Sequence, residues 1–256
     1  GAWAQADNGT YTVDLIAGQV ADLLGNAVST KQLQIFNVDI DTTRPTASLT
    51  TAMTNVTVAG PTPNTIQLSL GDADSGLDLS TVDASDLGIT GPGGALSIMS
   101  VSVVADVATY TIAPPGGAWA QADNGNYSIT LNANQILDNR GNSVNSRELQ
   151  TFSVNIDTTR PTASLVSGQS DIEIATNQAA SLQVVYSDDL SGVDESSFDV
   201  SDITITGAEV TKIEIDNHTV TYFFLPDDGN WGLTDSGLKQ VFIADNQVYD
   251  LKGNSV

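Results

Sequence analysis

The sequence predicts an all-β chain of small antiparallel sandwich modules arranged end to end, and three observations predict it. A long stretch repeats in register. Apolar and polar residues alternate with a period of two. Turn signals rich in Gly, Pro and Asn separate the alternating runs at short intervals.

The repeat is the most direct of the three. GAWAQADNGTYTVDL at 1–15 returns as GAWAQADNGNYSITL at 117–131, and NVDIDTTRPTASL at 37–49 returns as VNIDTTRPTASL at 154–165. Trp3 thereby maps onto Trp119, an offset of 116 residues, which also carries Asp72, Gly76 and Asp78 onto Asp188, Gly192 and Asp194. A third copy follows at an offset of 112, with Trp231 for Trp119 and DLKGN at 250–254 for DNRGN at 138–142. The lost residues fall near the GPGG loop at 91–94, where a change of length costs little. The expected organisation is the C-terminal part of a first module at 1–42, a complete module at 43–158, and a module lacking its last strand at 159–256. The ragged ends suit a segment of a longer array, with strand exchange between chains as the competing account.

Within the complete module, Ile66, Leu68 and Leu70 form one inward row, Tyr127, Ile129 and Leu131 a second, and Phe152, Val154 and Ile156 a third. Strands are expected at 46–51, 65–71, 86–90, 96–104, 108–113, 126–132 and 148–157, designated A to G. Seven short antiparallel strands in about 115 residues imply an immunoglobulin-like sandwich. The run Asp123-Asn-Gly125-Asn-Tyr127 resembles a tyrosine corner at the E–F turn, and Asp7-Asn-Gly9-Thr-Tyr11 repeats it. The third copy has Lys239 where the Tyr should stand, so its corner must be held differently. The recurring Trp is read as a cover for the sandwich end rather than as a platform for sugar.

Composition narrows function. The 256 residues contain 31 acids against 8 Lys and Arg, giving a formal net charge of −23, and no Cys. Nucleic acid and anionic membrane are excluded as partners, because phosphate binding needs clustered cations. No apolar run reaches the ~20 residues that a membrane-spanning helix needs. Catalysis has no foothold. Thiol chemistry is absent, no nucleophile elbow or HExxH motif occurs, and His218 stands alone in a turn. Neighbouring acids such as Asp188 and Asp189 cannot straddle a glycosidic bond.

The acids concentrate in four loop positions of each repeat. Asp39 and Asp41, or Asn155 and Asp157, precede strand A. Asp72, Asp74 and Asp78, or Asp188, Asp189 and Asp194, follow strand B. Asp22, Asp138 or Asp250 occupies the F–G turn, and Asp7, Asp123 or Asp235 the E–F corner. Sandwich topology puts the first three at one pole, with the corner of the preceding module facing them. So many carboxylates repel unless a cation joins them. Calcium suits this set, because it takes six to eight oxygens in flexible geometry, whereas magnesium is less suited to an all-protein cage. The DADSGLD loop approaches an EF-hand pattern, but Gly76 comes one residue early and strands flank it. The candidate ligands are Asp41, Asp72, Asp74, Asp78 and Asp138, with Asp7 or Asp39, at one junction. At the next they are Asp157, Asp188, Asp189, Asp194 and Asp250, with Asp123 at the facing corner. The plainer alternative is that Asp, Gly and Ser simply favour turns.

The DTTRPTASL linker, the D-G-x-Y corner and the D-x-x-G-N turn together resemble the bacterial immunoglobulin-like repeats of giant surface adhesins and related secreted proteins. That resemblance implies a stiff extracellular extender at the cell surface, with calcium at module junctions. Its partners would be neighbouring repeats of the same polypeptide or same-type chains in a fibre. It also leaves open a carbohydrate-binding accessory module on surface glycans or polysaccharide.

Overall fold

Alternation becomes pleated strand throughout. The computed structural model describes residues 1–256, and all its regular structure apart from single 3₁₀ turns is β. The chain divides into two compact units. One comprises residues 1–56, 60–119 and 123–154, the other 57–59, 120–122 and 155–256.

The first unit opens with a hairpin of β1 (Gly9–Leu15) and β2 (Lys31–Val38). A four-stranded antiparallel sheet follows, built from β3 (Thr46–Thr51), β4 (Asn64–Gly71), β8 (Ile98–Val104) and β9 (Val107–Ile112) in the order β3-β4-β9-β8. A second sheet has the order β12-β10-β6-β7, from β6 (Leu87–Gly91), β7 (Gly94–Ala95), β10 (Gly125–Leu131) and β12 (Arg147–Val154). Two short strands, β5 (Leu77–Asp78) and β11 (Leu137–Asp138), pair at the loop end. The expected strands A, B, E and D form the first sheet and G, F and C the second.

Both sheets bury alternate residues. Ile66, Leu68, Tyr110 and Ile112 from one, and Tyr127, Ile129, Leu131 and Phe152 from the other, are all buried. The outer edge of β12 is held by residues 53–56. Gln150 brackets the Met53 peptide, accepting its N–H at 2.9 Å and donating to its carbonyl, while Val56 bridges Val154 in parallel. Gly91 is required by packing rather than by a turn, because a Cβ there would run into the Tyr127 ring.

The second unit repeats this plan in part. Strands β13 (Thr162–Ser167), β14 (Ala180–Ser187), β16 (Glu209–Asp216) and β17 (Thr219–Leu225) form a sheet ordered β13-β14-β17-β16. The pair β15 (Ile203–Ile205) and β18 (Val241–Ile243) corresponds to β6 and β10. Its core gathers Leu182, Val184, Tyr186, Tyr222, Phe224 and Trp231.

The corners confirm one expectation and resolve another. The Tyr11 and Tyr127 hydroxyls each donate to the carbonyl four residues earlier, Asp7 and Asp123, at 2.9 Å. Where the third copy lacks that Tyr, the Lys239 ammonium lies 6.0 Å from the Trp231 ring centroid instead. Trp119 and Trp231 are buried, so neither offers a platform to a sugar. Trp3 is 57% exposed, because no second sheet covers the β1–β2 hairpin.

Candidate metal centre

Three loops of each repeat converge through hydrogen bonds that each Asp makes to its own turn. In the first unit Asp41 accepts the Thr43 N–H at 2.7 Å and reaches across to the Ser75 N–H at 3.1 Å. Asp72 Oδ2 accepts the N–H groups of Asp74 and Gly76 at 3.1 and 2.9 Å, a loop that needs the positive φ of Gly76, +80°. Asp138 Oδ1 accepts from the N–H groups of Arg140 and Asn142, both at 2.8 Å, and Oδ2 from the Asn142 amide at 2.7 Å. That same amide donates to the Asp41 carbonyl at 3.2 Å, tying the F–G turn to the linker.

The second unit reproduces the arrangement, with one further donor on Asp188. Asp157 accepts from Thr159 and Ser191 at 2.9 and 3.0 Å. Asp188 Oδ2 accepts from Leu190, Ser191 and Gly192 at 3.1, 2.9 and 2.9 Å. Asp250 accepts from Lys252 and Asn254, and the Asn254 amide reaches the Asp157 carbonyl at 3.2 Å.

Each trio, Asp41/Asp72/Asp138 and Asp157/Asp188/Asp250, places one oxygen per carboxylate within 4.8 Å of the others. Two oxygens on one calcium ion, each ~2.4 Å from it, can stand at most ~4.8 Å apart, so the spacing fits a shared divalent cation. The donor inventory points the same way. Asp138, Asp157 and Asp250 are buried, and no Lys or Arg side chain bonds to any of the six. The buried Oδ1 atoms of Asp72 and Asp188 have no hydrogen-bond partner. An anionic oxygen left without donor or cation is costly. Three like charges this close also repel one another, even with water screening part of the interaction.

Three of these carboxylates, Asp41, Asp138 and Asp157, are nevertheless held in the ionised form. The Ser75 hydroxyl nearby, with the Thr43 and Ser75 N–H groups, holds Asp41 below the usual carboxylate range. Burial alone would raise Asp138 and Asp157, but the donors of Asn142 and Arg140, and of Ser191 and Thr159, outweigh it and lower both. Deprotonated, hard oxygen ligands are what a calcium-type ion requires.

The other sequence candidates lie outside the trios. Asp39 pairs with Arg140. Asp74 accepts from Gln5 and Thr43, both at 2.7 Å, so Gln5 rather than Asp7 is the corner residue that reaches this pole. The Asp7 carboxylate accepts the Ala4 N–H at 2.9 Å, within its own corner. Asp123 presents its carbonyl to Tyr127. Asp78 and Asp194 cap short 3₁₀ turns, accepting from Ser80 and Ser196. Asp189 is exposed.

Sequence reasoning passed over two groups. Asn142 and Asn254 clamp both linker and F–G turn; their recurring place in the D-x-x-G-N turn was the available signal. Asp86 and Asp202 are fully buried on the core side, accepting from Tyr110 and Tyr222, both at 2.7 Å. Desolvation raises each to about 6 against those hydrogen bonds.

No protein-family model matches the chain, and no curated protein matches it. Among solved structures, two titin segments align over 82% of the chain at 12% identity and a TM-score of 0.26. They are the anomalous substructure of titin A168169, of which the alignment covers 98%, and the crystal structure of domains A168–A170 from titin, of which it covers 65%. At that TM-score the likeness bears on neither fold detail nor function.

Proposed function

We propose that this chain is a stretch of tandem immunoglobulin-like sandwich repeats serving as a non-catalytic structural extender, with calcium fixing the pole of each repeat to its linker. One observation supports this above all others. The same three carboxylates recur in both units, and each trio holds one buried oxygen that nothing satisfies. Asp41 and Asp157 belong to the segments that enter β3 and β13, while their partners belong to loops of the sandwich that follows. A cation held by all three locks linker to module, where Pro45 and Pro161 already fix the backbone. Repeats of the surface-adhesin type would use such joints to project a distal domain from the cell. The module boundaries expected from the repeat, at 1–42, 43–158 and 159–256, belong to the same reading.

The experiment is calorimetric titration of the chelated chain with calcium and, separately, magnesium. Two calcium ions per chain are expected, with magnesium much weaker. Limited proteolysis should show residues 41–45 and 157–161 protected by calcium and cut in chelator. No heat and no protection would refute the reading.

A further inference from the structure

The four outer edges of the first sandwich are not treated alike. An edge strand offers free N–H and C=O groups to any other strand, and proteins blunt it with charge, brevity or a cover. β12 is covered by residues 53–56, through the Gln150 bracket and the Val56 bridge. β7 is only two residues long. β3 has its Ala47 carbonyl taken by the Arg147 guanidinium. β8 runs for seven residues, pairs with β9 on one side and has no strand on the other.

Charge does not protect β8 either. No ionisable residue lies between Asp86 and Asp106. The second unit shows what protection looks like. There β16 holds the same place, and its pairing with β17 puts Lys212, Glu214 and Asp216 at the positions of Ser100, Ser102 and Val104. Lys212 and Glu214 form an ion pair along that row. The same strand of the same sheet is guarded in one repeat and bare in the other.

The β8–β9 turn sets which groups are free. Ala105 and Asp106 both have positive φ, +49° and +63°, the two-residue turn that hydrogen-bonds its flanking pair, Val104 and Val107. Alternation then turns the N–H and C=O groups of Val103 and Val101 away from β9. Their side chains are half-buried, whereas Ser100 and Ser102 stand exposed on the outer face.

We propose that β8 is a lateral docking edge for a second copy of this chain, paired antiparallel about a two-fold axis through Ser102. In that register Val101 of each copy exchanges main-chain bonds with Val103 of the other. The two Ser102 side chains meet as a close, non-hydrogen-bonded pair on the outer face. The edge is therefore self-complementary, as a closed two-fold dimer requires. Charge favours this edge for a like partner. A net charge of −23 opposes contact between copies. Along β8, however, the two Asp106 carboxylates would stand about 26 Å apart, well beyond the ~8 Å screening length. The pairing uses none of the six clustered Asp, so it stands apart from the calcium reading.

The chain has no Cys, so one introduced thiol reports the contact. Ser102→Cys and a control on the exposed face of β3, Ser48→Cys, are oxidised in the full 256-residue chain under chelator. Opposed residues at the axis have Cα atoms ~4.5 Å apart, within disulfide reach, so Ser102→Cys should crosslink at least about tenfold faster than the control. Sedimentation of the unsubstituted chain should show a monomer–dimer equilibrium strengthened by salt, with exchange of the Val101 and Val103 amides slowed in the dimer. Ser102→Lys sets like charges opposite each other and should weaken the dimer at least about tenfold while leaving the monomer's melting unchanged. Equal crosslinking rates, a dimer indifferent to Ser102→Lys, unprotected Val101 and Val103 amides, or a chain that stays monomeric at its highest soluble concentration would each overturn the proposal.

Discussion

The two repeats share their loop pole and differ in their cores. The trio Asp41/Asp72/Asp138 draws on the same loop positions at nearly the same distances as Asp157/Asp188/Asp250, which differs by one extra donor, the Ser191 N–H on Asp188. Yet one repeat has its second sheet closed by β12 and the other exposes the residue matching Ile129. The pole is therefore built largely locally, from Asx-type turns in which each Asp accepts N–H groups two to four residues ahead. The core is built non-locally, so burial at a given repeat position depends on strands far along the chain. The β1–β2 hairpin makes the same point from the other side. Asp22 accepts from Leu24 and Asn26 just as Asp138 does from Arg140 and Asn142, although Leu23 and Leu24 beside it are almost fully exposed.

The sharpest test of this contrast compares equivalent core truncations. Ile129→Ala should destabilise the first unit by about 3 kcal/mol, as buried large-to-small changes do, whereas Val241→Ala should cost under ~1 kcal/mol. Chemical denaturation followed unit by unit would measure both, and equal losses would erase the distinction.

The poles, by contrast, should respond alike. Calcium at about a hundred times its dissociation constant should stabilise each unit by about 2.7 kcal/mol. Asp72→Asn should remove that gain from the first unit alone and Asp188→Asn from the second alone. Melting curves with calcium and with chelator would show whether the sites act independently.

Acidity separates pole from core within each repeat. Asp86 faces Tyr110 and Asp83; Asp202 faces Tyr222, bonded in turn to Tyr186, and Asp199. Their raised values mean that the protonated form is favoured by folding, so they stabilise fully below about pH 4, and this is lost as pH rises through about 6. Asp41, Asp138 and Asp157 are lowered, so their contribution is present above the ordinary carboxylate range and lost below it. In chelator, stability should peak between about pH 4 and 5 rather than at neutrality. Asp86→Asn should gain roughly 1 kcal/mol at pH 7 and flatten the first unit's response through pH 6. Denaturation midpoints measured across pH would reveal either outcome.

The smallest effect concerns one indole. Trp119 donates to Asn64 at 2.9 Å, whereas Trp231 has Ala180 at that repeat position and its buried N–H is unsatisfied. Ala180→Asn should therefore stabilise the second unit by about 1 kcal/mol, and Asn64→Ala should cost the first a similar amount. Thermal melts of the two variants would show the opposite signs.

Much of this was legible in advance. The expected strands fall within about two residues of those observed, apart from the shorter end of G, because a half-buried strand must alternate and a turn must carry Gly, Pro or Asn. The trios were legible only in part. Many more acids than six share the four loop positions, and local capping removed Asp78 and Asp194 while the Arg140 ion pair took Asp39.

What the sequence by itself determined is the strand pattern, the repeat and the local turns, since all depend on residues close along the chain. Tertiary structure alone decided which oxygens face one another and which acids enter the core. Asp86 is sequestered because Tyr110, 24 residues away, meets it from another strand, and Asp41 meets Asp138 only when linker and F–G turn close on each other. Spacing along a chain carries no record of such meetings, because they are fixed by how two sheets stack and not by any neighbouring residue.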